Sequence, residues 1–131
     1  MAITVRDVTR LIEIELPRKP SAGATARRLL ERQAAALPAG TRLQELKLVV
    51  SELVNNAYLH GRGRIELKLD RRPDCLRVEV VDQGENAAVR IPSRPAGDGG
   101  HGLRIVAQLA SRWGAYQGTT HVWAELRLDP V

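Results

Sequence analysis

The sequence predicts an α+β fold, a two-layer sandwich in which a mixed, mostly antiparallel sheet carries helices on one face. Three observations predict it. Stretches 64–70 and 75–82 alternate apolar and polar residues on either side of RRPD, which reads as a hairpin. Two long segments of helical period, 21–37 and 41–61, run one after the other, segregated from that hairpin. A glycine-rich stretch, a third helical segment and a last alternating stretch complete the chain. At 131 residues, all of this is expected to form one domain over 1–131, with its core between about 10 and 130.

Each element has its own local reasons. RLIEIELP, 10–17, alternates as a strand, and Pro17 and Pro20 end it. SAGATARRLLERQAAAL, 21–37, is rich in Ala, Leu and Arg. It reads as a helix capped by Ser21 and stopped by Pro38 and Gly40. In 41–61, Thr41 and Gln44 form a capping-box pattern and Gly61 is the stop. Leu43, Leu46, Val50, Leu53 and Ala57 share one face of that helix, flanked by Val49 and Val54. In the hairpin, Ile65, Leu67 and Leu69 alternate, then Leu76, Val78 and Val80. Residues 83–102 have no periodicity, and a long loop in a compact domain points to function. GLRIVAQLASRW, 102–113, reads as a helix with Leu103, Val106, Leu109 and Ala110 inward, and HVWAELRL, 121–128, as the last strand.

Composition narrows the class. With 44% hydrophobic and 27% charged residues the chain is an ordinary soluble globular protein, and without Phe its core falls to Leu, Val, Ile and Ala. The single Cys75 excludes an internal disulfide. It reads as a bystander, with an exposed thiol in the turn-like RRPDC as the alternative. No stretch approaches the ~20 apolar residues of a membrane span, and MAITVRDVTR lacks a signal peptide's apolar centre. A cytoplasmic protein without membrane partners is expected. The net charge of +5 is scattered, and two Trp with two Tyr offer little base stacking. Direct nucleic-acid binding is therefore not expected, whereas a nucleotide or an acidic protein patch suits the charge.

Three stretches carry chemistry. In SELVNNAYLHG, 51–61, Glu52 and Asn56 lie four apart and so share a helix face. An Asn oxygen suits Mg²⁺, which takes few protein ligands plus phosphate oxygens, and a carboxylate one turn away suits a general base. The alternative is a solvated helix edge. In VVDQGE, 80–85, Asp82 leaves a buried strand and Gly84 follows at the second position. That carboxylate suits an exocyclic amine, with room for a flat ring beside the glycine. The alternative is an ordinary Asp-x-Gly turn. In GDGGHGLRIV, 97–106, glycines run into a helix start, whose free N–H groups suit an anion. The alternative is a loop ending in a helix cap.

In this order the three stretches resemble the GHKL ATPase superfamily, which includes DNA gyrase, a class of heat-shock chaperones, sensor histidine kinases and mismatch-repair proteins. More narrowly, the chain resembles the anti-sigma-factor serine/threonine kinases. Glu52, Leu53, Asn56, Ala57, His60 and Gly61 match the E-L-x-x-N-A-x-x-H-G motif. Gly100, Gly102 and Leu103 match G-x-G-L, and 112–114 with 122–126 match R-W-G…V-W-A-E-L. The resemblance implies the Bergerat ATP-binding fold with ATP and Mg²⁺ as cofactors. It implies Asn56 as the Mg²⁺ ligand, Glu52 as general base, and Asp82 on the adenine amine with Gly84 beneath the ring. Gly100, Gly102 and Leu103 would line the phosphate side, under a lid formed by 85–99. Where the family often has threonine just before V-W, this chain has His121 after Thr119 and Thr120, and Thr120 is the candidate contact. His101 stands where the family often has arginine between the glycines.

The resemblance further implies a kinase acting on a STAS-domain anti-sigma-factor antagonist, able to sequester a sigma factor, and working as a homodimer. The competing expectation is a protein-binding module that keeps the fold without kinase activity. His60 is read either as a ligand or as a partner of its own helix C-terminus, and Trp113 and Trp123 as core or interface residues.

Overall fold

The computed structural model describes residues 8–84, 101–116 and 121–128. Five strands form one sheet: β1 (Thr9–Leu16), β2 (Ile65–Arg71), β3 (Cys75–Val81), β4 (Arg112–Tyr116) and β5 (His121–Arg127). Three helices accompany them: α1 (Ala22–Arg32), α2 (Thr41–His60) and α3 (His101–Leu109). The sheet order is β1-β2-β3-β5-β4. All four pairings are antiparallel, so the expected mixed sheet is antiparallel throughout the described residues.

Cross-strand register explains which face is covered. Leu16 pairs Ile65, Leu67 pairs Val80, Val78 pairs Ala124 and Leu76 pairs Leu126, so these side chains share the helix-covered face. All of them are buried. An irregularity between Arg10 and Ile12 resets β1 so that Ile12 opposes Leu69 on that same face. The helices α1 and α3 flank α2, which lies across β2, β3 and β5. Leu46, Val49, Val50, Leu53, Val54 and Ala57 bury the inner face of α2, while Leu43 is only half-buried. Ser51 is also buried, its hydroxyl donating to the Leu48 carbonyl at 3.0 Å.

Several boundaries differ from the sequence reading. The first helix ends at Arg32, and a single 3-10 turn, Ala34–Ala36, follows. Ser21 does stand at the N-cap of α1, but its side chain makes no capping hydrogen bond. The Thr41–Gln44 capping box does not form, because Gly40 at φ 68° takes the N-cap position and Thr41 is already helical. Gly61 ends α2 with φ −91°, outside the left-handed region, so conformational freedom is not its reason for being glycine. The helix expected to reach 113 stops at Leu109, and β4 is an additional edge strand. The hand-over comes at Ser111, whose N–H and hydroxyl both donate to the Glu125 carbonyl, at 2.8 and 3.0 Å. Cys75 does not stand exposed in the turn. It opens β3 and is 7% exposed, and burial, then Glu125 and Asp74, push its thiol up to about 11.

The opposite face of the sheet is polar. Trp123 lies there, with the Arg77 guanidinium 4.2 Å and that of Arg112 5.7 Å from its ring centre. Trp113 packs partly buried against the core.

Candidate functional site

The site forms where the last turns of α2 meet the exit of β3. Alternation along β3 sends Val78 and Val80 inward, and Asp82 follows the same phase just past the strand end. Its carboxylate is therefore carried beneath α2, at 4% exposure. Oδ1 accepts the Gly84 N–H at 2.6 Å, closing a tight Asx turn. The turn reading of Asp-x-Gly is thus real, and it is also what fixes the carboxylate. Gly84 itself is buried.

The other oxygen, Oδ2, lies against Gly61. A Cβ at position 61 would collide with that carboxylate and stand 2.7 Å from the Ala57 carbonyl oxygen. Close approach, not dihedral freedom, is what requires glycine there. Residues 61–64 form a turn in which Gly63 has φ 66°. The Gln83 side chain accepts the Arg64 N–H at 2.7 Å, and the Gln83 N–H donates to the Arg62 carbonyl at 2.8 Å. From the other side the Arg18 guanidinium donates to the carbonyls of Tyr58 (2.7 Å), Gly63 (2.7 Å) and Ala57 (3.0 Å).

The two adjacent asparagines of α2 have different surroundings. Asn55 faces α1, so close to Gly23 that a Cβ there would stand 2.8 Å from its Oδ1. Asn56 is a hundred degrees further round the helix, on the face of Glu52. Both Glu52 and Asn56 are half-buried, and neither side chain makes a hydrogen bond or ion pair among the described residues. His60 is exposed in the last turn of α2.

The glycine-rich stretch is only partly within view. Among the described residues α3 runs from His101, and Gly102 is its second residue. Leu103 is buried in the core cluster among the apolar residues. Gly100, Thr120 and the 85–99 lid lie outside the described residues.

A model of the histidine kinase-like ATPase domain matches residues 16–126, from the last residue of β1 into β5. The chain belongs to the histidine kinase-like ATPase family. No curated protein matches it. Membership of this family points to ATP binding and a phosphotransferase-like chemistry, and the residues present fit a nucleotide. A buried carboxylate held rigidly beside bare glycine backbone suits a base carrying an amine. Among the described residues no three His, Cys, Asp or Glu gather as a metal cage. On α2 the half-buried Asn56, without a hydrogen bond among the described residues, offers an amide oxygen that would suit Mg²⁺ completing its shell with phosphate and water.

A cavity of about 290 Å³ reaches Asp82 from the polar face of the sheet, lined by Glu15, Arg64, Glu66, Val81 and Gln83. Glu15 and Glu66 are direct cross-strand partners there. Glu66 in turn lies 3.6 Å from Lys68, so both signs of charge meet on this side of Asp82. Sequence reading missed Arg18 and Gln83. Both act on backbone atoms far along the chain, and no side-chain pattern announces that. The Asp-x-Gly spacing located the turn but gave the middle residue no role.

Proposed function

We propose that the protein is an ATP-dependent serine/threonine protein kinase of the anti-sigma-factor kind. The observation that carries the reading is the pairing of two side chains without partners among the described residues, Glu52 and Asn56, on the helix that covers the buried Asp82. Asp82 receives the adenine amine through its carboxylate, and Gly84 leaves room for the ring. Asn56 would hold Mg²⁺ through its amide oxygen, and the ion would supply charge neutralisation at the phosphates. Glu52 accepts the proton of the attacking seryl or threonyl hydroxyl. The hydroxyl oxygen bonds the γ-phosphorus, the bond from that phosphorus to the β–γ bridging oxygen breaks, and ADP leaves. The phosphoacceptor in this reading is a STAS-domain anti-sigma-factor antagonist, with a sigma factor as the second partner and a homodimer as the working unit.

The test is phosphotransfer to such an antagonist, read alongside ATP titration. Glu52→Ala is expected to keep ATP binding and to lose phosphotransfer by about a hundredfold or more. Asn56→Ala is expected to lose the Mg²⁺-dependent part of binding. Full phosphotransfer in Glu52→Ala removes the base assignment. Nucleotide binding without phosphotransfer in the wild type leaves a binding module of the same fold.

A further inference from the structure

Asp82 is placed by its surroundings. Oδ1 is tied to the Gly84 N–H, so the direction of Oδ2 depends on where Gly61 lies. Gly61 in turn belongs to the 61–64 turn, and that turn is held from two sides. Arg18, in the loop between β1 and α1, sends Nη1 to the Tyr58 carbonyl, Nη2 to the Ala57 carbonyl and Nε to the Gly63 carbonyl. One guanidinium thus joins the last turn of α2 to the turn that follows it. The planar fork of donors suits this, and its positive charge suits the negative end of the helix dipole. Arg18 forms no ion pair with a carboxylate among the described residues, so its donors serve backbone alone. Gln83 holds the opposite side of the turn through the Arg64 N–H and the Arg62 carbonyl, and it is the direct neighbour of Asp82.

We propose that Arg18 and Gln83 clasp the 61–64 turn against Asp82 and thereby set the site's preference for the adenine base, Arg18 being a positioning residue. This rests on the reading of Asp82 as the acceptor of the adenine amine. A hydrogen bond tolerates only a few tenths of an ångström before it weakens. Release of the turn lets Gly61 withdraw, frees Oδ2 to swing, and removes the alignment that separates an amine from a carbonyl on the base.

The experiment compares ATP with ITP, whose hypoxanthine carries an oxygen where adenine carries the amine. Both are titrated against the full chain by calorimetry. A charge-assisted hydrogen bond predicts that the wild type prefers ATP by about tenfold or more. Arg18→Ala is expected to weaken ATP about tenfold and ITP little, so that the ratio falls towards one. Arg18→Lys, which keeps the charge but not the fork, is expected to lie between. Arg28→Ala, whose guanidinium contacts the Thr25 hydroxyl on α1, should leave the ratio unchanged. If Arg18→Ala does not fold, Gln83→Ala carries the test by removing the side-chain bond to the Arg64 N–H, while the backbone bond to the Arg62 carbonyl stays. A role confined to stability weakens both nucleotides alike and keeps the ratio, and that result overturns the clasp. A wild type without preference overturns the adenine assignment at Asp82, and the clasp with it. A preference that survives both Arg18→Ala and Gln83→Ala overturns the clasp alone.

Discussion

A single hydrogen atom is what Gly61 presents to Asp82. Because φ at Gly61 is −91°, alanine there meets no backbone strain, and the whole cost is the collision of its methyl with the carboxylate and the Ala57 carbonyl. Gly61→Ala should therefore lower stability by about 1–3 kcal/mol, as overpacking does, and weaken ATP binding in parallel, which urea unfolding and calorimetry will read. Cys75 gives a second residue-level expectation. Its thiol is pushed up to about 11 from an ordinary 9.0, chiefly by burial. The folded chain holds that proton longer than the unfolded chain, so this contribution is intact below pH 9 and fades as pH rises towards 11. Cys75→Ala should flatten that part of the stability profile measured by denaturant unfolding between pH 8 and 11. Glu52, Asn56 and Asp82 were legible in the sequence because their spacing places them on a helix face and at a strand exit. Arg18 and Gln83 were not, since their partners are carbonyls and amides that every residue possesses.

At the scale of elements, α2 and the hairpin were legible because a strong period runs the length of each. The edge strand β4 was not. Trp113 continues the helical spacing of Leu103, Val106 and Leu109, so nothing in the period marks the change of structure at Ser111. What fixes β4 is tertiary: Ser111 bonded to the Glu125 carbonyl, and Gly114 so close to Trp123 that a Cβ would stand 3.1 Å from its ring. Glu125 joins three segments by its side chain, accepting Arg77 of β3 at 2.8 Å and lying 3.4 Å from Arg112 of β4 and 3.9 Å from Arg72 of the hairpin turn. It is 8% exposed. Glu125→Ala removes the carboxylate those guanidiniums share, and should cost about 3 kcal/mol in a urea unfolding experiment. Arg112→Ala, which removes a largely exposed partner, should cost well under half as much.

Across the whole molecule, one covered and one open face of the sheet assign the two kinds of chemistry to different sides. The buried Asp82, the proposed adenine contact, lies under α2, while the Arg77–Trp123–Arg112 stack and the Glu125 ion pairs lie on the polar face. No described helix is long and apolar enough to cross a membrane. The strand order also fixes a sequence of events in time. The hairpin of β2 and β3 closes through a turn of three residues, so it can pair before any distant part of the chain arrives. By contrast, β1 must wait for Ile65 to reach Leu16, and β5 must return from beyond α3 to place Val122 beside Val80. Folding should then begin with β2, β3 and the face of α2 that covers them, and close at the two edges. Stopped-flow kinetics will show this as a contrast between two truncations. Val78→Ala should slow refolding, whereas Ile12→Val, in the outermost strand, should leave refolding alone and hasten unfolding.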